Sequence, residues 1–193
     1  MPSLPPTYFD DVYRANEDPW SFETSEYERG KYEATLAALP EPRYASAFEI
    51  GCSIGVLTRQ LADRCDQLLA VDASELPLTK ARQRLADKAN VRIERMAIPA
   101  TFPDGPFDLI LVSEVGYYLS ENDLARARQR MIDTLKPGGD LLLVHWTPFV
   151  PDYPLTGDAV HDFFLQAAAA DGPLEHRLGQ RADTYRLDLF RKR

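Results

Sequence analysis

Residues 45–72 read ASAFEIGCSIGVLTRQLADRCDQLLAVD, and their order decides the fold. A short apolar run, Ala47 to Ile50, leads into a turn bounded by Gly51 and Gly55. A helical pattern follows at Leu57, Leu61, Ala62 and Cys65, then a second apolar run from Leu68 to Val71 that ends at Asp72. Strand, glycine turn, helix, strand and acid form one unit. Glycines let backbone approach a ligand closely, and the start of the helix offers unpaired N–H groups. An acid at the tip of the second strand accepts hydrogen bonds from both hydroxyls of a ribose. The unit therefore reads as a site for an adenosine-containing small molecule.

The remaining chain repeats the alternation. A helix is expected from Ser74 to Ala89, with Ser74 as N-cap and Pro77 in the first turn. Val91 to Ile98 alternates as a strand, and Pro99 to Pro106 is a loop. Phe107 to Ser113 is a nearly unbroken apolar run, the mark of a strand buried on both faces. Ser120 and Asp123 cap a helix carrying Leu124, Ala127, Met131 and Leu135, which Lys136-Pro137-Gly138-Gly139 ends. A fifth strand is expected over Leu141–Trp146, then a proline-rich loop to Gly157, a helix from Asp158 to Ala170, and an antiparallel hairpin over Leu174–Arg193. Strands alternating with helices imply an α/β fold with a mostly parallel sheet and helices on both faces. Its ligand edge lies beyond the carboxyl ends of the strands.

Residues 1–42 precede this core. Tyr8, Phe9, Val12 and Tyr13 form a helical aromatic stripe, read either as core packing or as a lid over the ligand. Ser25 with Glu28 three residues later reads as a capping box opening a second helix. The chain is expected to be a single domain: a lead-in (1–42), a cofactor-binding core (45–146), and a substrate loop, helix and hairpin (147–193).

Composition narrows the function. A net charge of −8 argues against binding to nucleic acid or an anionic membrane. Cys52 and Cys65 lack metal-ligand spacing, so no metal is expected. Neither a basic, apolar leader nor a run approaching the roughly 20 residues needed to span a bilayer is visible. A cytoplasmic location is the expectation.

These residues resemble the class I S-adenosylmethionine-dependent methyltransferases. Glu49-Ile50-Gly51-Cys52-Ser53-Ile54-Gly55 is similar to that family's E-x-G-x-G-x-G loop, with Ser53 in place of the middle glycine. Val71-Asp72 is similar to its ribose-binding acid, Phe107 to Ser113 to its fourth strand, and Leu135 to Gly139 to its turn before strand five. The flanks carry a narrower resemblance. Asp18-Pro19-Trp20 through Glu28, and His145-Trp146 followed by Asp152 through His161, are similar to the nodulation protein S (NodS) N-methyltransferases.

The resemblance implies a Rossmann-like, seven-stranded sheet with an antiparallel C-terminal strand, S-adenosylmethionine as methyl donor, and S-adenosylhomocysteine as product. It implies a small-molecule acceptor, by likeness to NodS the amine of a chito-oligosaccharide or other amino sugar. An O-methyltransferase and a non-catalytic cofactor sensor are the alternatives, and the oligomeric state is left open. By resemblance the cofactor set is Gly51, Cys52, Ser53 and Gly55 of the loop; Glu49 toward the methionyl ammonium, directly or through water; Asp72 on the ribose, with Ala73 beside it; Met96, Ala97 and Ile98 around adenine; and Ser113 under the sulfonium. Trp20 and Tyr27 are candidates for closing that pocket, and core packing is the other reading of Met96. Glu114 is a candidate for accepting a proton from the nucleophile or for binding the acceptor's amine or hydroxyl, and His145 and His161 are candidates for removing or relaying that proton, with a structural role as their other reading. Tyr117, Tyr118 and Trp146 form a stacking or cation-binding wall, or else rim packing.

Overall fold

The computed structural model describes residues 1–193. Its centre is one seven-stranded sheet in the order β3-β2-β1-β4-β5-β7-β6. The strands are β1 (Tyr44–Ile50), β2 (Cys65–Asp72), β3 (Val91–Arg95), β4 (Phe107–Ser113), β5 (Leu135–Trp146), β6 (Leu174–Arg181) and β7 (Tyr185–Lys192). The first five run parallel, and β7 runs antiparallel to both β5 and β6. The order reverses between β1 and β4, where Ile50 pairs with both Val71 and Val112. That crevice is where an open α/β sheet receives its ligand.

Two apolar layers close the faces. Phe48, Ile50, Ile110, Val112, Leu141 and Leu143 meet Leu124, Ala127 and Met131 of α5 (Glu121–Thr134) and Val160 and Phe164 of α6 (Gly157–Gln166). The alternate residues Ala47, Leu109, Leu111, Leu142 and Val144 face Tyr32 of α2 (Glu26–Ala37) and Leu57 and Leu61 of α3 (Val56–Ala62). Strand alternation and helical periodicity thus place the same side chains on the same layers. The lead-in helix α1 (Pro6–Ala15) rests on α4 (Glu75–Arg84), where Ser74 Oγ donates to Asp10 at 2.6 Å.

Several boundaries differ from the sequence expectation. Cys65 opens β2 rather than closing α3, because the helix ends at Ala62 and the chain turns at once. α4 stops at Arg84, and α6 stops at Gln166. β3 ends at Arg95, so Met96, Ala97 and Ile98 leave the sheet for the ligand edge. β5 begins at Leu135, which pairs with Phe107, and the register then shifts to pair Leu109 with Asp140. Lys136 to Gly139 is therefore an irregularity inside the strand, with Gly138 at φ +76°, rather than a separate turn. Ser25 caps α2 by accepting from the Glu28 N–H, but the Glu28 carboxylate engages Lys31. No helix is long and apolar enough to cross a membrane.

Candidate functional site

A cavity of about 520 Å³ opens at the carboxyl ends of β1, β2 and β4, and the lead-in forms its outer wall. Gly51, Ser53, Asp72, Ala73, Met96, Ala97, Ile98 and Ser113 line one end. Tyr27, Glu28, Lys31, Glu114, Tyr117 and Trp146 line the other, and Trp20 and Tyr118 also reach it.

The glycine turn is tight for reasons of packing as well as approach. Gly51 has φ +88°, and a Cβ there would stand 2.4 Å from Val115 and 2.8 Å from the Ser113 carbonyl. Gly55, at φ +78°, caps α3 and lies against Ala81 and Leu85 of α4, so it does not line the cavity. Ser53 holds the left-handed conformation at φ +48°, which a side chain disfavours. Its hydroxyl meets the Tyr13 hydroxyl at 2.6 Å, and Tyr13 is 6% exposed. The side chain that replaces the motif's middle glycine therefore ties the lead-in to the loop. Tyr13 packs edge-on against Trp20, which stacks on Phe22.

Asp72 is built to accept. Its Oδ2 accepts the Ser53 N–H at 3.1 Å and its Oδ1 the Ser74 N–H at 3.0 Å. A carboxylate has about four lone-pair positions, so two more donors fit. Burial pushes its carboxyl up to about 6, against the pull of those backbone N–H groups. Glu49 is expected near the cofactor's ammonium, yet it lies on the β1 face opposite Ile50, beside Thr58 of α3 and 1% exposed. It does not line the cavity, and burial pushes its carboxyl up to about 7. Cys52 likewise points away, into a small cluster with Ala70 and Leu78.

The other end of the cavity is polar. Glu114 has φ +59°, a strained conformation of the kind that collects at functional sites. Its Oε1 accepts from Lys31 Nζ at 2.7 Å, and its Oε2 accepts from the Tyr117 hydroxyl at 2.6 Å and the Trp146 N–H at 2.9 Å. Lys31, 3% exposed, also donates to Glu28 Oε1 at 3.0 Å. Burial works against its charge, but Glu114 and Glu28 outweigh it and hold the ammonium above the usual lysine range. Burial pushes the Tyr117 hydroxyl well up, with Glu114 adding to it, so Tyr117 stays a donor. Around this group Tyr27 meets Trp146 edge-on with ring centres 6.0 Å apart, and Tyr117 stacks on Tyr153 at 5.1 Å.

His145 and His161 do not line the cavity; both are fully buried beneath it. The Gly116 N–H donates to His145 Nε2 at 3.0 Å, which leaves the His145 proton on Nδ1. That N–H donates to His161 Nε2 at 3.0 Å, and His161 Nδ1 donates to Asp188 at 2.6 Å. Asp188 also accepts from His176 and Arg186. Burial holds both rings below the usual histidine range, His161 despite the pull of Asp188. The chain of bonds ends on a backbone amide, which cannot relay a proton. The pair therefore fixes the 3-10 turn at Gly116–Tyr118, and with it Tyr117, from beneath the cavity.

Sequence reasoning missed three members of the site. Lys31 and Glu28 stand one helical turn apart on α2 and share its buried side with Tyr32 and Thr35, an inward charge pair within a helix whose sheet-facing layer is apolar. Tyr13 carries no signal beyond its place in the aromatic stripe.

The comparisons with known proteins agree with this fold. The family profile of Nodulation protein S (NodS) matches residues 11–145. The chain belongs to the nodulation protein S family. Nodulation protein S of Rhizobium tropici is 31% identical over 132 residues, which are 66% of this chain and 55% of that protein. The chain spans 55 to 62% of the length of the curated nodulation proteins it matches. The crystal structure of the N-methyltransferase NodS from Bradyrhizobium japonicum WM9 in complex with S-adenosylhomocysteine superposes with a TM-score of 0.80 at 26% identity, covering 95% of this chain and 97% of that one. A Pseudomonas syringae crystal structure, 38% identical, gives a TM-score of 0.76 over 87% of this chain and all of that one. The family match begins inside α1 and includes Tyr13, Glu28 and Lys31, so the lead-in belongs to the family's shared region.

Proposed function

We propose that this protein is an S-adenosylmethionine-dependent N-methyltransferase acting on the amine of a small-molecule acceptor, an amino sugar of the chito-oligosaccharide kind. The observation that carries the reading is the two-ended cavity. Asp72, with lone pairs to spare, sits at one end, and a charge triad of Glu28, Lys31 and Glu114 sits between aromatic faces at the other.

The residues at the first end fit the cofactor. Asp72 accepts two ribose hydroxyls, Met96 to Ile98 flank adenine, and the backbone from Gly51 to Ser53 faces the remainder. A sulfonium supplies an activated methyl group, so the protein's part is alignment and exclusion of water. At the second end two carboxylates outnumber one ammonium, and the net negative charge favours an acceptor that arrives as a cation. Tyr27 and Trp146 add ring faces that suit a sugar or an ammonium. Likeness to NodS supports the amino-sugar acceptor in particular.

The test is incubation with methyl-labelled S-adenosylmethionine and three acceptors: a chito-oligosaccharide deacetylated at one sugar, its fully N-acetylated counterpart, and phosphoethanolamine. Label on the deacetylated sugar and not on its acetylated counterpart is the expected result. Cofactor binding without label on either amine overturns the reading.

A further inference from the structure

We infer that Asp188, acting through His161 and His145, is a positioning residue for methyl transfer: it fixes the Gly116–Tyr118 turn and so aims the Tyr117 hydroxyl at Glu114. The inference rests on the reading above that the Glu114 end of the cavity receives the acceptor.

The chain of hydrogen bonds from β7 to the turn has one direction, and both of its ends set it. At one end the Gly116 N–H can only donate, so His145 Nε2 must present a lone pair. At the other end Asp188 is held ionised. Burial opposes its charge, but His161, Arg186 and His176 outweigh burial and keep the carboxyl below its usual range. A carboxylate only accepts, so His161 Nδ1 must carry a proton. The 3.0 Å contact between His145 Nδ1 and His161 Nε2 then has one proton, and it belongs to His145. Burial holds both rings below the usual histidine range, so each is neutral and has a single tautomer that satisfies every partner.

Asp188 is an unusual residue for its place. It is 1% exposed on β7, paired with Leu143 and flanked by the core residues Leu187 and Leu189. Its Oδ2 accepts from His161 and from Arg186 at 2.7 Å, and its Oδ1 accepts from His176 at 2.6 Å. Apolar residues of similar volume often serve stability as well as a buried charged network does, so stability alone does not account for it.

The turn it fixes is a junction. A Cβ on Gly116 would stand 2.6 Å from Val160 of α6 and 2.9 Å from His145 Nε2, so the turn lies hard against both. The Tyr118 carbonyl accepts the Leu4 N–H of the lead-in at 2.9 Å, and the Tyr117 carbonyl accepts the Leu155 N–H of the loop after β5 at 3.1 Å. The Tyr117 ring packs edge-on against His145, with centres 5.5 Å apart, and its hydroxyl donates to Glu114 Oε2 at 2.6 Å. Movement of the turn would shift that hydroxyl and both cavity walls. A misplacement of about 1 Å at a reacting centre costs on the order of 100-fold in rate.

The experiment compares variants of the full chain. Nitrogen spectra of labelled histidine in the unaltered protein should show His145 and His161 neutral, each with its proton on Nδ1. A charged ring, or a proton on either Nε2, overturns the inference whether or not any variant folds. Asp188→Leu removes the acceptor at nearly constant volume, and the Gly116 amide should lose its protection against hydrogen exchange. With the monodeacetylated chito-oligosaccharide at saturation, its kcat should fall by about 10- to 100-fold. Affinity for S-adenosylhomocysteine should stay within about threefold. Asp188→Asn keeps an oxygen for His161 and Arg186 and turns its amide toward His176, which is 33% exposed and free to take its other tautomer. That variant should recover kcat to within about threefold of the original. Tyr117→Phe should lose about as much as Asp188→Leu, and the double variant no more than about threefold further, because both changes break one line of contacts. Losses that multiply in the double variant, full kcat in Asp188→Leu, or an Asn variant as impaired as the Leu variant each overturn the inference. Absence of methylation on any amine by the unaltered protein refutes the acceptor reading and removes the role in transfer with it. The histidine protons and the Gly116 exchange need no acceptor and still decide whether Asp188 fixes the turn.

Discussion

Cofactor affinity should depend on the ionisation of Asp72. The carboxyl titrates near 6 rather than at its ordinary 3.8 because it is buried in the cavity floor. A ribose hydroxyl donates to the carboxylate but meets a competing proton on the acid. Affinity for S-adenosylhomocysteine should therefore be level above about pH 7 and fall by about tenfold per pH unit, or about 1.4 kcal/mol, below about pH 6. Asp72→Asn removes the charge and one acceptor while keeping the shape. Its amide nitrogen also faces a backbone N–H, of Ser53 or Ser74, in place of an oxygen. Losing charge-assisted bonds of this kind costs about 3 kcal/mol, on the order of 100-fold in affinity, and the variant should show no acid dependence of its own. The sign on stability is opposite. A carboxyl whose folded value lies above its unfolded one makes the folded state bind more protons, so its contribution is full below about pH 4 and is lost as pH rises through about 6. Ionised Asp72 thus costs the cofactor-free protein about 1–3 kcal/mol at neutral pH, which bound cofactor offsets. Isothermal calorimetry of both proteins between about pH 5 and about pH 8 reads the first effect. Denaturant titration of the same pair cancels contributions from His145, His161 and Glu49 and reads the second. Affinity of the unaltered protein that stays flat to about pH 5, or an Asn variant that binds within about threefold of it, would refute the reasoning.

Three further perturbations test the surroundings of the site. Tyr13→Phe should cost about 1 kcal/mol, whereas Ser53→Gly should be nearly neutral, since relief of the left-handed backbone offsets the stranded Tyr13 hydroxyl. The double mutant should then be about 1 kcal/mol more stable than the sum of the singles, and strict additivity in urea titrations would mean the 2.6 Å contact carries no energy. Lys31→Met leaves Glu28 and Glu114 buried without their counter-charge and should destabilise by about 3–5 kcal/mol at neutral pH. That deficit should shrink in acid as the carboxylates take up protons, so equal deficits at about pH 7.5 and about pH 5 would count against a charge triad. His145→Leu unpairs the Gly116 N–H and His161 Nε2 at a cost of about 2–4 kcal/mol, with cofactor affinity unchanged by calorimetry. A loss of affinity as large as that of Asp72→Asn would place His145 in the cofactor pocket instead of beneath it.

Features set by local chemistry were legible before the structure, and features set by packing between distant segments were not. The turn from Gly51 to Gly55, the caps at Ser25, Ser74 and Ser120, and the hairpin of β6 and β7 all follow from residues within a few positions of each other. The parallel sheet with a ligand edge at its carboxyl ends also follows, because alternating strands and helices leave few right-handed windings. Glu28 shows the limit. Three residues after an N-cap serine, its sequence neighbourhood marks it as a helix-capping acid, while its partner across the fold, Glu114, is 86 positions away and reaches it only through Lys31. His145 and His161 show the converse limit. Strand ends at the ligand edge attract a catalytic reading, but strand alternation turns the His145 ring under the edge, where α6 supplies a partner.

The same division explains why Ser53 is compatible with the fold. In isolation, a side chain at φ +48° in a glycine position is a local conflict of about 1–2 kcal/mol. The conflict resolves only when α1 is in place, because Tyr13 then supplies the hydroxyl that Ser53 meets and Asp10 anchors the same helix to Ser74. Ser53 and Ser74 are also the two residues whose N–H groups hold Asp72. The lead-in is thus bound at two points to the pair of residues that orient Asp72, so its docking and the geometry of that end of the cavity are one event. The same lead-in continues into α2 and delivers Glu28 and Lys31 to the opposite end. A segment that the strand–helix pattern treats as a preface therefore positions both halves of the cavity, and changes in it should move cofactor affinity and acceptor turnover together.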